Sequence, residues 1–394
     1  MAASDLTFHE QRIGKPAVSR GFSTLRSEEV VMRKIRYAVI GSGWRAEFYI
    51  RIAKAVPGTF SLTSVLIRDK EKGQAFAEKF QVNVVNTLTE LEESGPDFVV
   101  LAIRRGCVTD YLLRLFALGI PVLTETPPGE TTEDLYRLWD ESLKCGAKIQ
   151  VAEQYYLQPL YAAWYNAIKE GLLGDVRNIS ISALHGYHGI SMIRRILGVK
   201  GMPCIIHGKR YEFPVTETYG REGMCFDGEI FLCPRDRAVL DYEGGKTAFF
   251  DFSDPAQYHS FIRTRQLNIQ GTRGEIDDLA IRYLTKENIP VEESLRRIDL
   301  GVYGNQEWSH FAIMLGERFL YRTPFVNARL NDDELAVGSL LLGMAEYVGG
   351  GAEVYPLADA LQDMYLCLKL EEAYKNPWKP IQTEIQPWND RLMI

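Results

Sequence analysis

The stretch Ile35–Phe48, IRYAVIGSGWRAEF, decides the fold of this sequence. It starts with a nearly continuous apolar run, which is typical of a strand buried inside a parallel sheet. A glycine-containing turn follows, and the residues after it have helical spacing up to Pro57. A strand, a glycine turn and a helix in this order are the dinucleotide-binding fingerprint. The predicted cofactor-binding residues here are Gly41, Gly43, Trp44, Arg45 and Ala46.

Each position of this turn has a physical reason. Gly41 allows a tight turn, Gly43 lets the backbone approach a pyrophosphate, and Ala46 supplies the small third side chain that close helix packing needs. The N–H groups at the start of the helix then face the diphosphate. The alternative interpretation is a tight turn that binds no ligand.

Strand-like and helix-like segments alternate over residues 34–153, which predicts a doubly wound parallel sheet, the Rossmann fold. Further strands are expected in SLTSVLIRD, DFVVLAIRR, IPVLTET and AKIQVAE, and helices in KEKGQAFAEKF, VTDYLLRLFALG and TEDLYRLWDESLKCG. After residue 153 one helix, PLYAAWYNAIKEGLLG, precedes longer alternating segments: RNISISALHGYHG, AVLDYEGGKTAFFDFS and RTRQLNIQGTRGEIDDL. These favour a mixed or antiparallel sheet. The chain is therefore predicted to be α/β, with an NAD(P)-binding Rossmann domain at 34–153 and an α+β domain at 154–394.

Composition excludes several classes of protein. The 394 residues carry a formal net charge of −7, which argues against a nucleic-acid-binding or anionic-membrane surface. No apolar stretch is long enough to span a membrane. Six irregularly spaced cysteines indicate reduced thiols and a cytoplasmic protein. No metal is expected, because the spacing of Cys204, His207, Cys225 and Cys233 matches no zinc pattern well.

Residues 1–33 are polar and lack the apolar segment of a secretory signal. We interpret them as an N-terminal arm. Residues 199–237 match no pattern and are a candidate region for substrate specificity.

The choice between NAD and NADP stays open in the sequence. An acid that binds the adenine ribose is expected at the end of the second strand, where this chain has Arg68 followed by Asp69. An arginine there can accept a 2′-phosphate or stack on adenine, whereas Asp69 is compatible with NAD.

The order of several motifs resembles the Gfo/Idh/MocA family, the glucose–fructose oxidoreductase and inositol dehydrogenase-like enzymes. The motifs are AVIGSGWRAEF, RDKEKGQAFAEKF, DFVVLAIRRG, ALGIPVLTETP, IKEGLLGDVRNIS, HGISMIRRILG and LNIQGTRGEID, within about Lys34 to Lys379. The resemblance implies a nicotinamide cofactor, NAD or NADP, and a second domain, residues 154–394, that binds the substrate and builds homo-oligomers. It also implies a small carbohydrate-type substrate that is oxidised at a hydroxyl.

The chain departs from the family at several functional positions. The family's Glu-Lys-Pro is Glu125, Thr126 and Pro127, so the lysine that usually acts on the hydroxyl is missing. An aspartate often found four residues before the active-site histidine is Leu184. The active-site histidine itself is retained as His188. The family's Asn and Arg after the sixth strand are replaced by Gln154 and Tyr156, and the Pro-Asn pair that commonly ends the fourth strand is replaced by Arg104 and Arg105. The resemblance places Ile103, Glu125, Thr126 and Gln154 near the cofactor.

Another group must take the proton, because the Thr126 hydroxyl is far too weak a base. The candidates are His188, His185, Tyr187 and Tyr156, and His188 has both a suitable unperturbed pKa and the family position. On a strand, His185 and Tyr187 would share a face. The alternative is a histidine that only makes a hydrogen bond in the core.

Arg104 and Arg105 end a predicted parallel strand and therefore border the cofactor crevice. Two arginines there can bind a carboxylate, sulfonate or phosphate of the substrate, although adjacent charges at a strand end are more often only solvated. Tyr155 and Arg194 are further candidates for substrate binding.

Three functions fit these observations. The first is an NAD(P)-dependent dehydrogenase of a sugar, glycoside or polyol. The second is an NAD-dependent glycosidase that oxidises the sugar, eliminates the aglycone and reduces the sugar again. The third is a cofactor-binding sensor without enzymatic activity.

Overall fold

The computed structural model describes residues 33–220, 223–259, 262–263, 265–301, 304 and 308–393. The predicted arm at 1–33 lies, except for Arg33, outside the described residues. Lys34–Ile394 forms one compact unit. Within the described residues, no helix is long and apolar enough to cross a membrane.

The first sheet is the predicted Rossmann sheet. Its six parallel strands are β1 (Ile35–Ile40), β2 (Phe60–Leu66), β3 (Val84–Val85), β4 (Phe98–Leu101), β5 (Val122–Thr124) and β6 (Ile149–Val151), in the order β3-β2-β1-β4-β5-β6. The helices between them are α1 (Trp44–Ala55), α2 (Lys70–Phe80), α3 (Leu88–Glu93), α4 (Val108–Ala117) and α5 (Thr132–Cys145). The strand order reverses between β1 and β4, and ligands bind outside the carboxyl ends of the strands at such a point.

The second sheet is mixed, as expected. Its strands are β7 (Val176–Ile181), β8 (Cys204–Thr216), β11 (Ile230–Tyr242), β12 (Lys246–Phe252), β13 (Leu267–Gly271), β14 (Gly274–Asp277), β15 (Ala280–Leu284), β16 (Pro290–Leu300), β17 (Ser309–Leu315), β18 (Arg318–Arg322) and β19 (Ile381–Gln382). A separate small pair consists of β9 (Tyr219–Gly220) and β10 (Gly223–Met224). The strand order of this large mixed sheet is β18-β17-β16-β15-β14-β13-β7-β12-β11-β8-β19, and its neighbouring strands β7 and β12 are parallel. The remaining helices are α6 (Pro159–Lys169), α7 (Gly186–Leu197), α8 (Ala256–His259), α9 (Asp332–Val348) and α10 (Leu357–Lys375).

The strand predicted over RNISISALHGYHG is too long. β7 ends at Ile181, and α7 begins at Gly186 with His185 as its extended N-cap residue. A Cβ at Gly189 would lie 2.6 Å from the ring of Phe250, so the glycine allows this helix to pack closely on β12. His185 and Tyr187 therefore do not share a strand face. Instead, His185 and His188 lie on successive turns at the start of a helix.

The two other long segments form hairpins. AVLDYEGGKTAFFDFS contains the end of β11 and all of β12, and RTRQLNIQGTRGEIDDL contains β13 and β14.

Helix α9 was not expected from the sequence, and it completes the core on one side of the Rossmann sheet. Leu335, Leu340 and Met344 are buried in the same hydrophobic cluster as Tyr37 and Val39 of β1. Residues from the C-terminal half of the chain thus stabilise the first sheet. The predicted division between residues 153 and 154 falls between the two sheets, since β6 ends at Val151 and β7 begins at Val176.

Candidate functional site

A large cleft of about 1700 Å³ opens at the carboxyl ends of the parallel strands. Its walls come from the loops after β1, β2, β4, β5 and β6, from the starts of α7 and α9, and from residues 216–220 beyond β8. The cleft is therefore the crevice that the strand order predicts.

The glycine turn forms one end of this cleft. Gly41 has φ +131°, and a Cβ there would lie 2.1 Å from the carbonyl oxygen of Ala102, so glycine is required for the turn. At Gly43 a Cβ would meet nothing within 4 Å, and the residue lines the cleft. Gly43 is also the N-cap of α1 and provides no side-chain cap. Open space in front of a helix N-terminus fits a diphosphate.

Arg45 and Glu125 form a polar cluster beside this loop. Arg45 Nε donates to Glu125 Oε1 over 2.8 Å, and Arg45 Nη1 donates to Asp333 Oδ2 over 2.7 Å. The hydroxyl of Tyr49 also donates to Glu125. Burial opposes the charge of Arg45, but Glu125 and Asp333 outweigh it and raise the pKa of the guanidinium. The side chains predicted to hold the cofactor are thus prearranged by ion pairing.

The cofactor-binding residues predicted elsewhere also line the cleft. They are Trp44, Arg68, Ile103, Thr126 and Gln154. Asp69 accepts a hydrogen bond from Lys72 N over 3.0 Å and so caps α2. The side chain of Gln154 is buried, and its Oε1 has no hydrogen-bond partner among the residues that the structure describes. An unsatisfied buried oxygen beside a cleft is suited to accept a hydrogen bond from a ligand.

His188 lies deeper in the cleft and is paired with a carboxylate. Its Nδ1 is 2.5 Å from Glu153 Oε2, and Glu153 is the second residue after β6. Glu153 is fully buried, and its other oxygen accepts a hydrogen bond from Tyr155 N over 3.1 Å. The ring centroids of Tyr155 and His185 lie 4.5 Å and 4.7 Å from that of His188.

Burial controls the protonation of this group. It raises the pKa of Glu153 to about 8 and lowers the pKa of His188 to about 3, so both side chains favour their neutral forms. Burial also lowers the pKa of His185 to about 2, and the charge of His188 adds to this effect. The pKa of Tyr155 is raised, mainly by burial, which makes its phenolate unavailable near neutral pH.

Four predicted residues do not line the cleft: Ala46, which is buried in the same hydrophobic cluster as β1, and Tyr156, Tyr187 and Arg194. The hydroxyl of Tyr156 donates to the carbonyl oxygen of Val354 over 2.8 Å, and the hydroxyl of Tyr187 is buried with no hydrogen-bond partner in the described part of the chain. Burial raises the pKa of both phenols, so neither is suited to act as a base.

Arg194 lies away from the cleft as well, and it is fully buried. It donates to Asp359 Oδ1 over 2.9 Å and to Asp363 Oδ1 over 2.5 Å. Because its guanidinium is held by two carboxylates in the core, this geometry does not support the predicted contact with substrate.

Arg104 and Arg105 do reach the cleft, together with Tyr155. Arg104 Nη2 lies 3.7 Å from the sulfur of Cys107. The positive charge of Arg105 acts on His185, His188 and Asp254, which places it near the histidines.

Sequence reasoning missed several residues of the cleft. They are Gln158, Asp254, Arg265, Asp332 and Asp333, which line the cleft, and Glu153, which is buried behind His188. The sequence did contain a signal for Glu153, because it is an acid at the end of the predicted strand AKIQVAE and the ends of parallel strands border the crevice. The sequence contained no such signal for Asp333. It lies within the N-terminal capping box of α9, and no feature of the neighbouring sequence predicts its ion pair with the distant Arg45.

Comparison with known proteins identifies the N-terminal domain. Residues 35–153 match the model of an oxidoreductase family with an NAD-binding Rossmann fold, the Gfo/Idh/MocA family. A Bacillus subtilis (strain 168) protein named as an oxidoreductase, YteT, is 28% identical over 103 residues. That match covers 26% of this chain and 24% of the length of the relative.

Solved structures are similar over most of the chain. An oxidoreductase from Agrobacterium radiobacter, solved with NAD+, L-tartaric acid and magnesium, has a TM-score of 0.62 at 15% identity, covering 89% of this chain and 98% of that one. The WlbA dehydrogenase from Bordetella pertussis, solved with NADH and UDP-GlcNAcA, has a TM-score of 0.58 at 15% identity, covering 90% and 100%. At this identity the likeness shows a shared fold. Together with the strand order and the glycine turn, the family match shows that residues 35–153 form a Rossmann domain similar to the NAD-binding domain of the Gfo/Idh/MocA oxidoreductases.

Proposed function

We propose that the protein is an NAD(P)-dependent oxidoreductase that acts on a hydroxyl group of a sugar, glycoside or polyol, with His188 as the group that accepts the hydroxyl proton. The observation that carries this proposal is the buried His188–Glu153 pair in the same cleft as the Gly41–Gly43 turn. A proton acceptor and a dinucleotide loop in one cleft are the two parts that alcohol oxidation needs.

Each group in the cleft has its own role in this proposal. A bound nicotinamide supplies the acceptor or donor of hydride. His188 turns Nδ1 toward Glu153, which leaves Nε2 for the substrate hydroxyl. Thr126 lines the cleft but is too weak a base, and the raised pKa of Tyr155 makes that phenol a hydrogen-bond donor.

An acidic group on the substrate would suit the cleft. Arg104 and Arg105 stand at the end of β4, and a guanidinium binds a carboxylate through paired hydrogen bonds. Structures of the same fold hold L-tartaric acid in one case and UDP-GlcNAcA in another. We therefore include sugar acids among the candidate substrates.

A redox-neutral glycosidase is the second candidate. The cleft extends past the catalytic histidine to residues 216–220 and Phe231, which leaves room for a substituent on the sugar. A dehydrogenase would accumulate NAD(P)H, whereas such a glycosidase would release the aglycone without accumulating reduced cofactor.

We also propose that the protein forms homo-oligomers through the open face of the second sheet. Ile205 on β8 and Phe249 on β12 are 40% and 43% exposed, whereas their neighbours Ile206 and Phe250 are buried. Exposed apolar residues on a sheet face favour association with a second copy. Light scattering would show a mass above that of one chain, and charged substitutions at both positions should reduce it.

The function is tested by following hydrogen from substrate to cofactor. A panel of deuterated polyols, sugars, aldonates and uronates, with p-nitrophenyl glycosides, would be incubated with NAD+ or NADP+. Absorbance at the wavelength of reduced nicotinamide reports net oxidation, nitrophenol reports glycoside cleavage, and mass spectrometry reports deuterium in the cofactor. If the protein binds the cofactor but no member of the panel transfers deuterium, the proposed function is wrong.

A further inference from the structure

We infer that Glu153 is the positioning residue of the active site: its carboxylate holds Nδ1 of His188 so that Nε2 exchanges the substrate proton. This inference rests on the proposed function for its chemical consequence. It also explains how the site handles a proton when Thr126 stands in place of the family lysine and Leu184 in place of the aspartate.

The carboxylate is fixed at both oxygens. Oε2 lies 2.5 Å from His188 Nδ1, and Oε1 accepts the backbone N–H of Tyr155 over 3.1 Å. Glu153 follows β6, whose three residues are buried, so the side chain projects from a rigid element. A carboxylate that is held at both ends can orient an imidazole, because it leaves the ring few alternative positions.

The burial of Glu153 also points to a role beyond packing. Its side chain has no exposed surface, and the His188 side chain is only 9% exposed. Burying a carboxylate is costly unless it is paired and hydrogen-bonded. Here its only side-chain partner among the described residues is the histidine that faces the cleft.

The other charges around the pair come from several elements. The cations are Arg45 on α1, Arg105 before α4 and Arg195 on α7. The acids are Glu125 after β5 and Asp333 on α9. The neutral titratable groups packed against it are Tyr155, His185 and Tyr187. These charges have opposite signs and partly cancel, so burial remains the main influence on protonation.

The pair should therefore titrate as one unit. With the pKa of Glu153 raised to about 8, the pair holds two protons below that pH and one above it. Above it, the single proton lies on Nδ1 and donates to Oε2, and the lone pair of Nε2 is free. This is the form that can accept a proton from an alcohol.

Protons and electrons balance in the proposed oxidation of an alcohol. The hydroxyl O–H bond would break and its proton would bind Nε2, the O–H electron pair would form the carbonyl bond, and the C–H bond would break, with a bound oxidised nicotinamide supplying the hydride acceptor. The pair then holds two protons and returns one to water. The reverse reduction uses the two-proton form, so oxidation should gain and reduction should lose rate as pH rises through about 8.

Glu153→Gln is the decisive variant, because the amide has nearly the same shape but no charge. If its oxygen keeps the Tyr155 N–H, its NH2 group faces Nδ1 and donates, which places the histidine proton on Nε2. In the NAD+-bound protein above pH 8, nitrogen NMR should therefore show Nδ1–H in the wild type and Nε2–H in the variant. With the substrate found in the panel, kcat/KM should fall about 10²–10⁴-fold, and the inflection near pH 8 should disappear.

Two further variants complete the test. Glu153→Asp keeps the charge with a shorter reach, so it should retain the inflection at a lower rate, and it serves if Glu153→Gln does not fold. The matched control is Asp299→Asn, since Asp299 Oδ1 lies 2.7 Å from His310 Nδ1 outside the cleft. It should change only the signals of His310.

The outcomes separate the two proposals. An unchanged tautomer and pH profile in Glu153→Gln, or an Nε2–H tautomer in the wild type above pH 8, would overturn the inference about Glu153. If the tautomer changes as expected but no deuterium reaches the cofactor from any substrate, Glu153 still positions His188 and the proposed oxidoreductase function is the part that fails.

Discussion

Arg194 and Asp363 form an ion pair from which water is excluded. Arg194 Nη1 lies 2.5 Å from Asp363 Oδ1, and neither side chain has exposed surface. Asp363 also accepts a hydrogen bond from the hydroxyl of Tyr355, and Asp359 pairs with the other end of the guanidinium. The pair thus connects α7, which carries His188, to α10 in the core of the protein.

Arg194→Met should destabilise the protein by about 3–5 kcal/mol, because it leaves two buried carboxylates without their cation. Burial already raises the pKa of Asp363 to about 7 with Arg194 present. An acid whose pKa is higher in the folded than in the unfolded state does not lower the free energy of unfolding at a pH below its unfolded-state pKa. Its destabilising effect grows as pH rises from there toward its folded-state pKa. The loss should therefore be larger at pH 8 than at pH 5 in denaturant unfolding.

The control for this change is Arg210→Met. Arg210 pairs with Asp236 on the surface and is 40% exposed, so its loss should cost less than about 1 kcal/mol. If Arg194→Met left stability unchanged and instead weakened substrate binding, the role predicted from the sequence would be restored.

Gly43→Leu should abolish tight cofactor binding while the protein stays folded. The backbone of Gly43, with φ −83° and ψ 174°, can be adopted by any residue, and a Cβ there would meet no atom of the described residues within 4 Å. The leucine would instead fill the space in front of the helix N-terminus. We expect calorimetry to show at least a tenfold rise in Kd for NAD(P)+, about 1.4 kcal/mol, with little change in Tm.

Gly58→Leu is the matched control, since Gly58 also has open space around it and does not line the cleft. It should bind the cofactor like the wild type. Equal affinity for cofactor in Gly43→Leu would show that the phosphate groups bind elsewhere.

Arg68→Ala distinguishes NADP from NAD. Arg68 lines the cleft after β2, and Asp69 beside it is engaged as the cap of α2. If Arg68 binds a 2′-phosphate, its loss should weaken NADP(H) more than NAD(H) by about 1.5–3 kcal/mol, the value of a charged hydrogen bond. Equal losses for both cofactors in paired titrations would leave adenine stacking as its role.

The sequence predicted the parts of the fold that depend on local pattern. The run before Gly41 and the small residue Ala46 specify the strand, turn and helix within 12 residues, and the structure has them there. It could not predict contacts between distant segments. Arg45 and Asp333 are 288 positions apart, and α9 brings them within 2.7 Å only because its apolar face packs on β1 and α1.

The segment with the two histidines shows a second reason why the site could not be predicted fully from the sequence. Residues 177–189 alternate as a strand does, but close packing of Gly189 on Phe250 favours a helix from Gly186 onward. That change of element brings His185 and His188 together and turns Tyr187 into the core. Tertiary packing here outweighs the local pattern.

His188→Ala should lower kcat/KM by about 10²–10⁴-fold with little effect on cofactor affinity, because proton transfer by a positioned base contributes on that scale. His185→Ala is the matched comparison, since His185 lines the same cleft, whereas Glu153 pairs with His188. We expect a smaller loss there. An unimpaired His188→Ala enzyme would contradict the assignment of His188 as the proton acceptor.

Thr126→Lys then separates the two candidate functions. Thr126 lines the cleft near Glu125, which is already paired with Arg45. In a dehydrogenase of the family type, a lysine at this position would have a hydroxyl to act on, and partial rescue of His188→Ala by the double variant is expected. In a glycosidase that uses the space beside Thr126 for the aglycone, the longer charged side chain would collide with that group, and turnover of p-nitrophenyl glycosides should fall while cofactor binding persists. The experiment measures NAD(P)H formation and nitrophenol release for four proteins: the wild type, the two single variants and the double variant. It decides between dehydrogenase and glycosidase because the two functions predict opposite effects of the lysine.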